Sequence, residues 1–271
     1  MIEDLFLIEK ESYRKSPIHV LDPRVKIVVT LAVILVIVSI PYSALSFPVS
    51  ISFFLLFAIL WGISGLSPLH YVKRLFAVLP FGIFLIFFQI FFKNRFYSEF
   101  HILYSLPAGI FIYAESIEFA LILFSKFIVC ISFVILLAST TRMQEMLEGA
   151  GRLGLPSEFI LVMGMMTRYL FVIGYMFRKV QQAVETRCFD PFDHRLPYRY
   201  RLRQIGYIVG TIFLRSYEQG ERTYTAMLCR GYGRHSYMYI KKKSLSRADA
   251  CFLYTCLIFI IFVPLYFYIH G

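Results

Sequence analysis

The sequence predicts an all-α membrane protein with about five transmembrane helices and long amphipathic helices on the cytoplasmic side. Three observations support this fold class. Hydrophobic residues make up 58% of the 271 residues and charged residues only 17%, below the roughly 25% of a soluble domain. Several apolar runs approach or exceed the roughly 17 residues that a membrane-spanning helix needs. The net charge of +11 is concentrated in one segment, residues 140–247.

Four of the predicted spans lie in an N-terminal membrane part, residues 1–139. They cover residues 25–40, 47–63, 75–92 and 117–138. The first span follows Asp22 and Pro23, a pair that suits a helix start because aspartate caps the first turn and proline needs no amide partner there. Pro80 lies inside the third span, where neighbouring helices can satisfy the carbonyl that it frees. The connection 93–116 contains only a short apolar run, which cannot cross the bilayer.

The fourth span carries Lys126 near its middle. A cation at this depth costs about 2.5–3.5 kcal/mol on insertion scales, so it needs a partner or water. Two explanations stay open. Lys126 is either a structural residue, paired with Glu115 or Glu118 or extended toward the interface, or a contact with a second membrane protein.

The distribution of the other charged residues predicts the orientation of the chain in the membrane. Residues 140–247 hold 18 of the 28 Lys and Arg but 8 of the 17 Asp and Glu. These charges alternate with apolar residues at helical spacing, which favours a cytoplasmic, membrane-associated segment over nucleic-acid binding. A last span, about 248–269 within the C-terminal part 248–271, then leads outside. We therefore predict a plasma-membrane protein with its N-terminus and residues 140–247 in the cytoplasm and its C-terminus outside.

Residues 140–247 are predicted to form a short amphipathic helix, residues 143–153, followed by two long helices. The long helices end at about Cys188 and Arg230. The apolar stretch 159–177 could be counted as a further span. That crossing would move 15 Lys and Arg to the outer side, against the positive-inside tendency, so we place the stretch at the inner membrane face.

Two arginine motifs end the long helices, and both fit the pattern Ala-x-x-x-Arg-small-aromatic. The first contains Ala183, Thr186, Arg187 and Cys188, and the second contains Ala226, Cys229, Arg230 and Gly231. An arginine in the last turn interacts favourably with the negative end of the helix macrodipole, and its guanidinium extends beyond the helix. We predict that both arginines bind a partner protein.

Motifs for catalysis or cofactor binding are missing from the sequence. There is no phosphate-binding Walker A loop, and the six histidines are scattered without a His-x-x-x-His or Cys/His cluster. The five cysteines form no Cys-x-x-Cys pair, so free thiols are expected. We predict no catalytic residue, no cofactor and no metal site in this chain, and hence no enzyme. Few ionisable residues lie within the spans, which also disfavours an ion-coupled carrier.

In its arginine motifs and in several further stretches, the chain resembles the transmembrane T component of energy-coupling factor (ECF) transporters, of the cobalt/nickel type called CbiQ. The resemblance covers nearly the whole chain. It rests on Ile18-His19-Val20-Leu21-Asp22-Pro23-Arg24-Val25-Lys26, Gly154-Leu155-Pro156, Arg168-Tyr169 and the stretch from Arg215 to Tyr232. The family's pattern at both motifs is Ala-Arg-Gly or close to it. This chain keeps both arginines and differs in part at the flanking positions.

The resemblance implies a scaffold that links two cytoplasmic ABC-type ATPase subunits to a small membrane subunit that captures the substrate. The long helices would cross in an X, with Arg187 and Arg230 each in a groove of one ATPase. ATP-driven closure of the ATPase pair would shift the helices, whose apolar faces would pass the movement to the substrate-capturing subunit. Cobalt or nickel ions are the implied substrates.

Two alternatives from other classes stay open. A stand-alone secondary carrier or channel would need polar residues along a path through the bilayer, and the spans offer little beyond Lys126, Gln89 and Ser132. A membrane-embedded enzyme could use Arg187 and Arg230 to hold a phosphorylated lipid, but no acidic metal-binding motif accompanies them.

Overall fold

The computed structural model describes residues 16–42, 46–90, 102–105, 111–187, 190, 196–233 and 245–270. Within these ranges the chain is almost entirely helical. The helices are α1 (Pro17–Val20), α2 (Pro23–Ser39), α3 (Ser46–Ser64), α4 (Pro68–Ile90), α5 (Ala114–Thr140), α6 (Met143–Arg152), α7 (Ser157–Glu185), α8 (Tyr198–Cys229) and α9 (Arg247–His270). Two short strands, β1 (Ile102–Ser105) and β2 (Phe111–Tyr113), pair antiparallel in the connection before α5.

Five of the described helices are long and apolar enough to cross a membrane, which confirms the predicted polytopic all-α class. They are α3, α4, α5, α7 and α9. Four of them overlap predicted spans, and the fifth, α7, is the helix that the charge pattern places at the inner face. Helix α2, the expected first span, has 17 residues and is therefore about 25 Å long. Length and composition permit α7 to cross, so its position at the inner face stays a prediction.

The chain divides into two compact units. We call the first the membrane unit, which holds α1 to α6, the strands and α9, and the second the two-helix unit, which holds α7 and α8. The first division falls at 153/154, whereas the sequence places that boundary at 139/140. The difference concerns α6, which contacts α2 and belongs to the membrane unit.

The core of the membrane unit forms around one face of α2. Val25, Val29, Val33 and Ile37 are all at most 3% exposed, and their four-residue spacing puts them on one side of the helix. They belong to one buried cluster with Phe53 and Phe57 of α3, Phe133 of α5 and Ile260 of α9. Apolar helices in lipid associate through such close side-chain packing. Moving an apolar side chain from lipid into a helix interface brings little hydrophobic gain.

Helix α6 approaches the start of α2 so closely that a side chain would not fit between them. A Cβ atom at Gly149 would lie 2.9 Å from the Cβ of Pro23 and 3.3 Å from the amide nitrogen of Arg24. A contact under 3.0 Å is too short for real side-chain carbons. Glycine at position 149 therefore sets the distance between α6 and α2.

Candidate functional site

The first arginine motif stands at the end of α7. Thr186 closes the helix, with its amide donating to the Gln182 carbonyl at 3.0 Å and its hydroxyl donating to the Ala183 carbonyl at 3.0 Å. The amide of Arg187 donates to the Val184 carbonyl at 3.0 Å, and the residue is exposed. No ion pair or hydrogen bond joins its guanidinium to another residue that the structure describes. Cys188, the fourth residue of this motif, lies outside the described residues.

The second arginine motif closes α8 with a different geometry. Arg230 follows Cys229, the last helical residue, and Gly231 adopts a φ of 83°. The amide of Gly231 donates to the Leu228 carbonyl at 2.9 Å, and the amide of Tyr232 donates to the Met227 carbonyl at 3.0 Å. These two bonds form a Schellman cap, in which glycine is favoured because the left-handed conformation strains other residues.

Arg230 directly precedes the capping glycine, at the end of α8. Arg230 and Cys229 are exposed, as is Ala226. Within the described part of the chain no residue forms a hydrogen bond or ion pair with the guanidinium of Arg230. The structure thus presents two arginines at two helix ends, each unpaired among the described residues. We call Arg187 and Arg230 the arginine tips.

Helices α7 and α8 contact each other and are joined by a side-chain hydrogen bond. The hydroxyl oxygens of Tyr169 and Thr223 are 2.6 Å apart. From Tyr169, α7 continues for 16 residues to Glu185, which is about 24 Å. From Thr223, α8 continues for six residues to Cys229, about 9 Å. The Arg187 tip therefore lies far from the point where the bond joins the helices, and the Arg230 tip lies nearer to it.

Asp22 connects three elements of the membrane unit where α2 begins. Its carboxylate is fully buried and accepts a hydrogen bond of 3.1 Å from the amide of Arg24, as the sequence predicts for a helix cap. Arg152, at the end of α6, has its Nη1 atom 3.6 Å from the Asp22 Oδ2 atom. The Asp22 amide donates to Asp249 Oδ1 of α9 at 3.0 Å. The starts of α2 and α9 and the end of α6 therefore meet at Asp22.

Two buried lysines join α2 and α5 in a reciprocal way. Lys126 of α5 donates from its ammonium to the carbonyl of Ile40, the residue that caps α2, and lies 4.3 Å from the ring centroid of Tyr42. Lys26, near the start of α2, donates to the carbonyl of Thr140 at 3.0 Å, and Thr140 is the last residue of α5. Each helix thus supplies a cation to the other's C-terminal end, where the macrodipole is negative.

The contacts of Lys126 differ from the carboxylate pair that the sequence suggests. Its charge is satisfied by a carbonyl and an aromatic face, and the structure places no ion pair between it and a described carboxylate. The side chain is 6% exposed. Whether Lys126 also contacts a second membrane protein stays a prediction.

The sequence indicates Asp22 as a helix cap and Lys126 as an unusual cation. It did not reveal Arg152 and Asp249 as the partners of Asp22, or Lys26 as a second buried cation between α2 and α5. A signal was present for Asp249, which is an acidic residue in the first turn of an apolar helix. Lys26 offered a similar signal because it lies in the first turn of an apolar helix, at the start of the first predicted span. For metal ions, the described residues contain no group of three or more His, Cys, Asp or Glu side chains close enough to act as ligands.

Comparison with known proteins gives one family match and three relatives. A family model described as CbiQ, cobalt transport protein, matches residues 14–240. Uncharacterized protein MJ1089 of Methanocaldococcus jannaschii is 26% identical over 233 residues, which is 83% of this chain and 80% of that protein. Uncharacterized protein MJ1571 of the same organism is 26% identical over 194 residues, which is 70% of this chain and 64% of that protein.

A third relative has a functional name. Nickel permease LarQ of Lactiplantibacillus plantarum is 32% identical over 96 residues. These residues make up 35% of this chain and 33% of LarQ. The matches to MJ1571 and LarQ therefore span less than two thirds of the length of those proteins.

Proposed function

Because the chain belongs to the CbiQ family of cobalt transport proteins, we propose that it is the transmembrane energy-coupling subunit of an ECF-type importer. In this proposal a cytoplasmic pair of ABC-type ATPases binds to the two-helix unit. A separate membrane subunit captures the substrate, which is a cobalt or nickel ion. The family match and the similarity to a nickel permease support this choice of metal.

The observation that carries the proposal is the pair of arginine tips. Arg187 and Arg230 end two long helices, 29 and 32 residues in length, and both are exposed. A guanidinium can form two parallel hydrogen bonds with one carboxylate, which fixes direction as well as distance. An acidic groove on each ATPase would hold such a tip firmly enough to push and pull it.

The length and stiffness of the helices suit them to transmit movement. When the ATPases close around ATP, the two grooves move closer, and each tip has to follow its groove. A shift at the tip of α7 is carried along the helix to Tyr169, where the hydrogen bond to Thr223 joins it to α8. Movement of either helix is thereby imposed on the other.

Exposed apolar residues on the two-helix unit provide a surface for the substrate-capturing subunit. On α8, Tyr207, Phe213 and Leu214 are each more than 60% exposed, and on α7, Val162 and Met166 reach 60% and 61%. Patches of this kind usually mark contact with a partner or with lipid. In the proposal they carry the movement of the helices to the subunit that holds the metal ion.

The proposal is tested by replacing both tips. We expect Arg187→Ala combined with Arg230→Ala to abolish ATP-dependent metal uptake and to release the ATPases from the purified complex. Loss of one partner from a buried charge pair costs about 2–5 kcal/mol, which is at least a tenfold loss of affinity. Uptake of radioactive cobalt or nickel and co-purification of the ATPases are the measurements.

Arg199→Ala combined with Arg203→Ala is the matched control, because it removes the same charge near the other end of α8. It should leave uptake and ATPase binding close to those of the unchanged protein. Membrane insertion should be equal in both variants. Undiminished uptake by the tip variant, or nucleotide-independent transport by this chain alone in liposomes, would contradict the proposal and favour a stand-alone carrier or channel.

A further inference from the structure

A groove between α7 and α8 has features that the arginine tips do not explain. It encloses about 530 Å³ and is lined by residues from both helices, a volume within the range of small-ligand sites. On α8 its lining follows one helix face at spacings of three and four residues, from Gln219 through Arg222 and Thr223 to Arg230. On α7 it runs from Leu161 to Tyr169. The groove lies entirely within the two-helix unit.

Arg168 and Arg222 line this groove, and Arg230 lines its end. Arg168 precedes Tyr169 and Arg222 precedes Thr223, so each arginine lies one position from the hydrogen bond that joins the two helices. Both arginines line the groove and are exposed. Within the described residues neither guanidinium has a hydrogen bond or ion pair, and no described residue of the lining is acidic. The groove is therefore a concentrated positive site without its counter-charge.

The rest of the lining is apolar or small. Leu161, Met165 and Met227 lie beside the arginines, and a Cβ at Gly164 would meet nothing within 4 Å. The ligand that fits is an amphiphile, with an anionic group for the guanidiniums and a hydrocarbon part for the apolar floor. Guanidinium forks bind phosphate oxygens in pairs.

The surroundings of α7 favour a lipid as the source of that phosphate. Phe159, Val162 and Met166 are each at least 47% exposed on α7, so this helix needs an apolar environment along the stretch that forms the groove. A bilayer supplies such an environment together with phosphate head groups. Basic segments at the inner surface of a membrane are attracted by its anionic lipids.

We propose that this groove binds an anionic phospholipid, with its phosphate held by Arg168 and Arg222 and the upper part of its acyl chain on Leu161 and Met165. Arg187 lies outside this groove, whereas Arg230 lines its far end. Arg230 is eight residues beyond Arg222, about 12 Å along α8, and is not needed to hold the phosphate. The inference rests on the position of α7 at the membrane and not on coupling to an ATPase.

The test uses the full-length protein in detergent and measures bound lipid by native mass spectrometry. Phosphatidylglycerol, phosphatidylcholine and inorganic phosphate are added in separate arms. We expect selective retention of phosphatidylglycerol, reduced about tenfold in Arg168→Gln combined with Arg222→Gln, because each cation contributes to binding an anionic lipid. Gly164→Leu fills open space in the groove without removing charge and should also reduce retention.

Two control variants separate this site from general charge and from the Arg187 tip. Arg199→Gln with Arg203→Gln removes the same charge elsewhere on α8, and Arg187→Ala removes the tip that does not line the groove. Both should keep their lipid, whatever happens to uptake. Equal loss in the Arg199/Arg203 variant, or equal retention in all variants, would overturn the proposal.

The other ligand classes have distinct outcomes. If inorganic phosphate displaces phosphatidylglycerol at similar concentration, the groove is a phosphate site and the lipid assignment is wrong. If Arg168→Gln with Arg222→Gln loses the ATPases but keeps its lipid, the groove binds an acidic protein segment and the lipid assignment is again wrong.

Discussion

The two buried lysines of the membrane unit show how a single residue can be accommodated away from water. Lys26 and Lys126 are each 6% exposed, and each donates to a carbonyl at the end of the neighbouring helix. The last carbonyls of a helix have no partner within it, and they carry the negative end of its dipole. The cost of burying each cation is thereby offset by satisfying a group that would itself be costly to leave unpaired.

Lys126→Met removes the ammonium and leaves the Ile40 carbonyl without this donor. We expect the free energy of unfolding to fall by about 1–3 kcal/mol, the penalty for an unsatisfied buried polar group. Thermal or denaturant unfolding in detergent measures this change. Lys126→Arg should retain most of the stability because guanidinium also donates to a carbonyl.

Glu118→Gln is the control for the carboxylate pairing that the sequence suggests. Glu118 is exposed, and we expect its replacement to leave unfolding unchanged. A stability loss equal to that of Lys126→Met would show that the lysine depends on Glu118, and the assigned carbonyl contact would then be wrong.

Helix α6 shows what the sequence does and does not reveal about one element. The short amphipathic helix was predicted at its correct place, since residues 143–153 were expected and Met143–Arg152 are found. Its docking on α2 was not predicted, because the contacts of Gly149 with Pro23 and of Arg152 with Asp22 join positions far apart in the chain. Helical spacing and caps are local signals, whereas such contacts depend on the arrangement of the whole unit.

Gly149→Val places a branched side chain where α6 meets α2. The helices have to separate or the backbone has to shift, and we expect a loss of about 1–3 kcal/mol in the free energy of unfolding. Gly206→Val is the matched control, because nothing lies within 4 Å of a Cβ at that position of α8. Unfolding curves of the two variants in detergent give the comparison, and equal stabilities would refute the close approach.

For the other elements, too, local sequence signals predict helix ends but not short strands or long-range contacts. The observed ends of α7 and α8 lie within a few residues of the predicted ends, because Pro191 follows the first arginine motif and Gly231 belongs to the second. The hairpin of β1 and β2 was not predicted, since strands of four and three residues are too short to show alternation. The lysine contacts bridge 86 and 114 positions in sequence, and no local pattern could reveal them.

At the scale of the whole molecule, charge and apolar length give different indications for α7. Its 29 residues are long and apolar enough to cross the bilayer, but a crossing would place most of the basic residues outside. Moving so many cations to the outer face opposes the positive-inside tendency.

Cys229 provides a natural label for this question because it is an exposed free thiol beside Arg230. With the other four cysteines replaced by serine, we expect a membrane-impermeant maleimide to label Cys229 in inside-out vesicles and not in intact cells. A variant that instead carries a single cysteine at His270 should show the opposite behaviour. Labelling of Cys229 in intact cells would place the Arg230 tip outside, and the predicted inner location would be wrong.

The reciprocal lysines also fix the axial register of α2 and α5. Lys26 and Ile40 are fourteen residues apart on α2, and Lys126 and Thr140 are fourteen residues apart on α5. The two lysine–carbonyl hydrogen bonds therefore lie about 21 Å apart and form in the same register. Sliding one helix by a single turn would displace both ammonium groups from their carbonyl partners by about 5.4 Å and break both hydrogen bonds. Helices α2 and α5 can therefore tilt or rotate together during a transport cycle, but they cannot slide along each other.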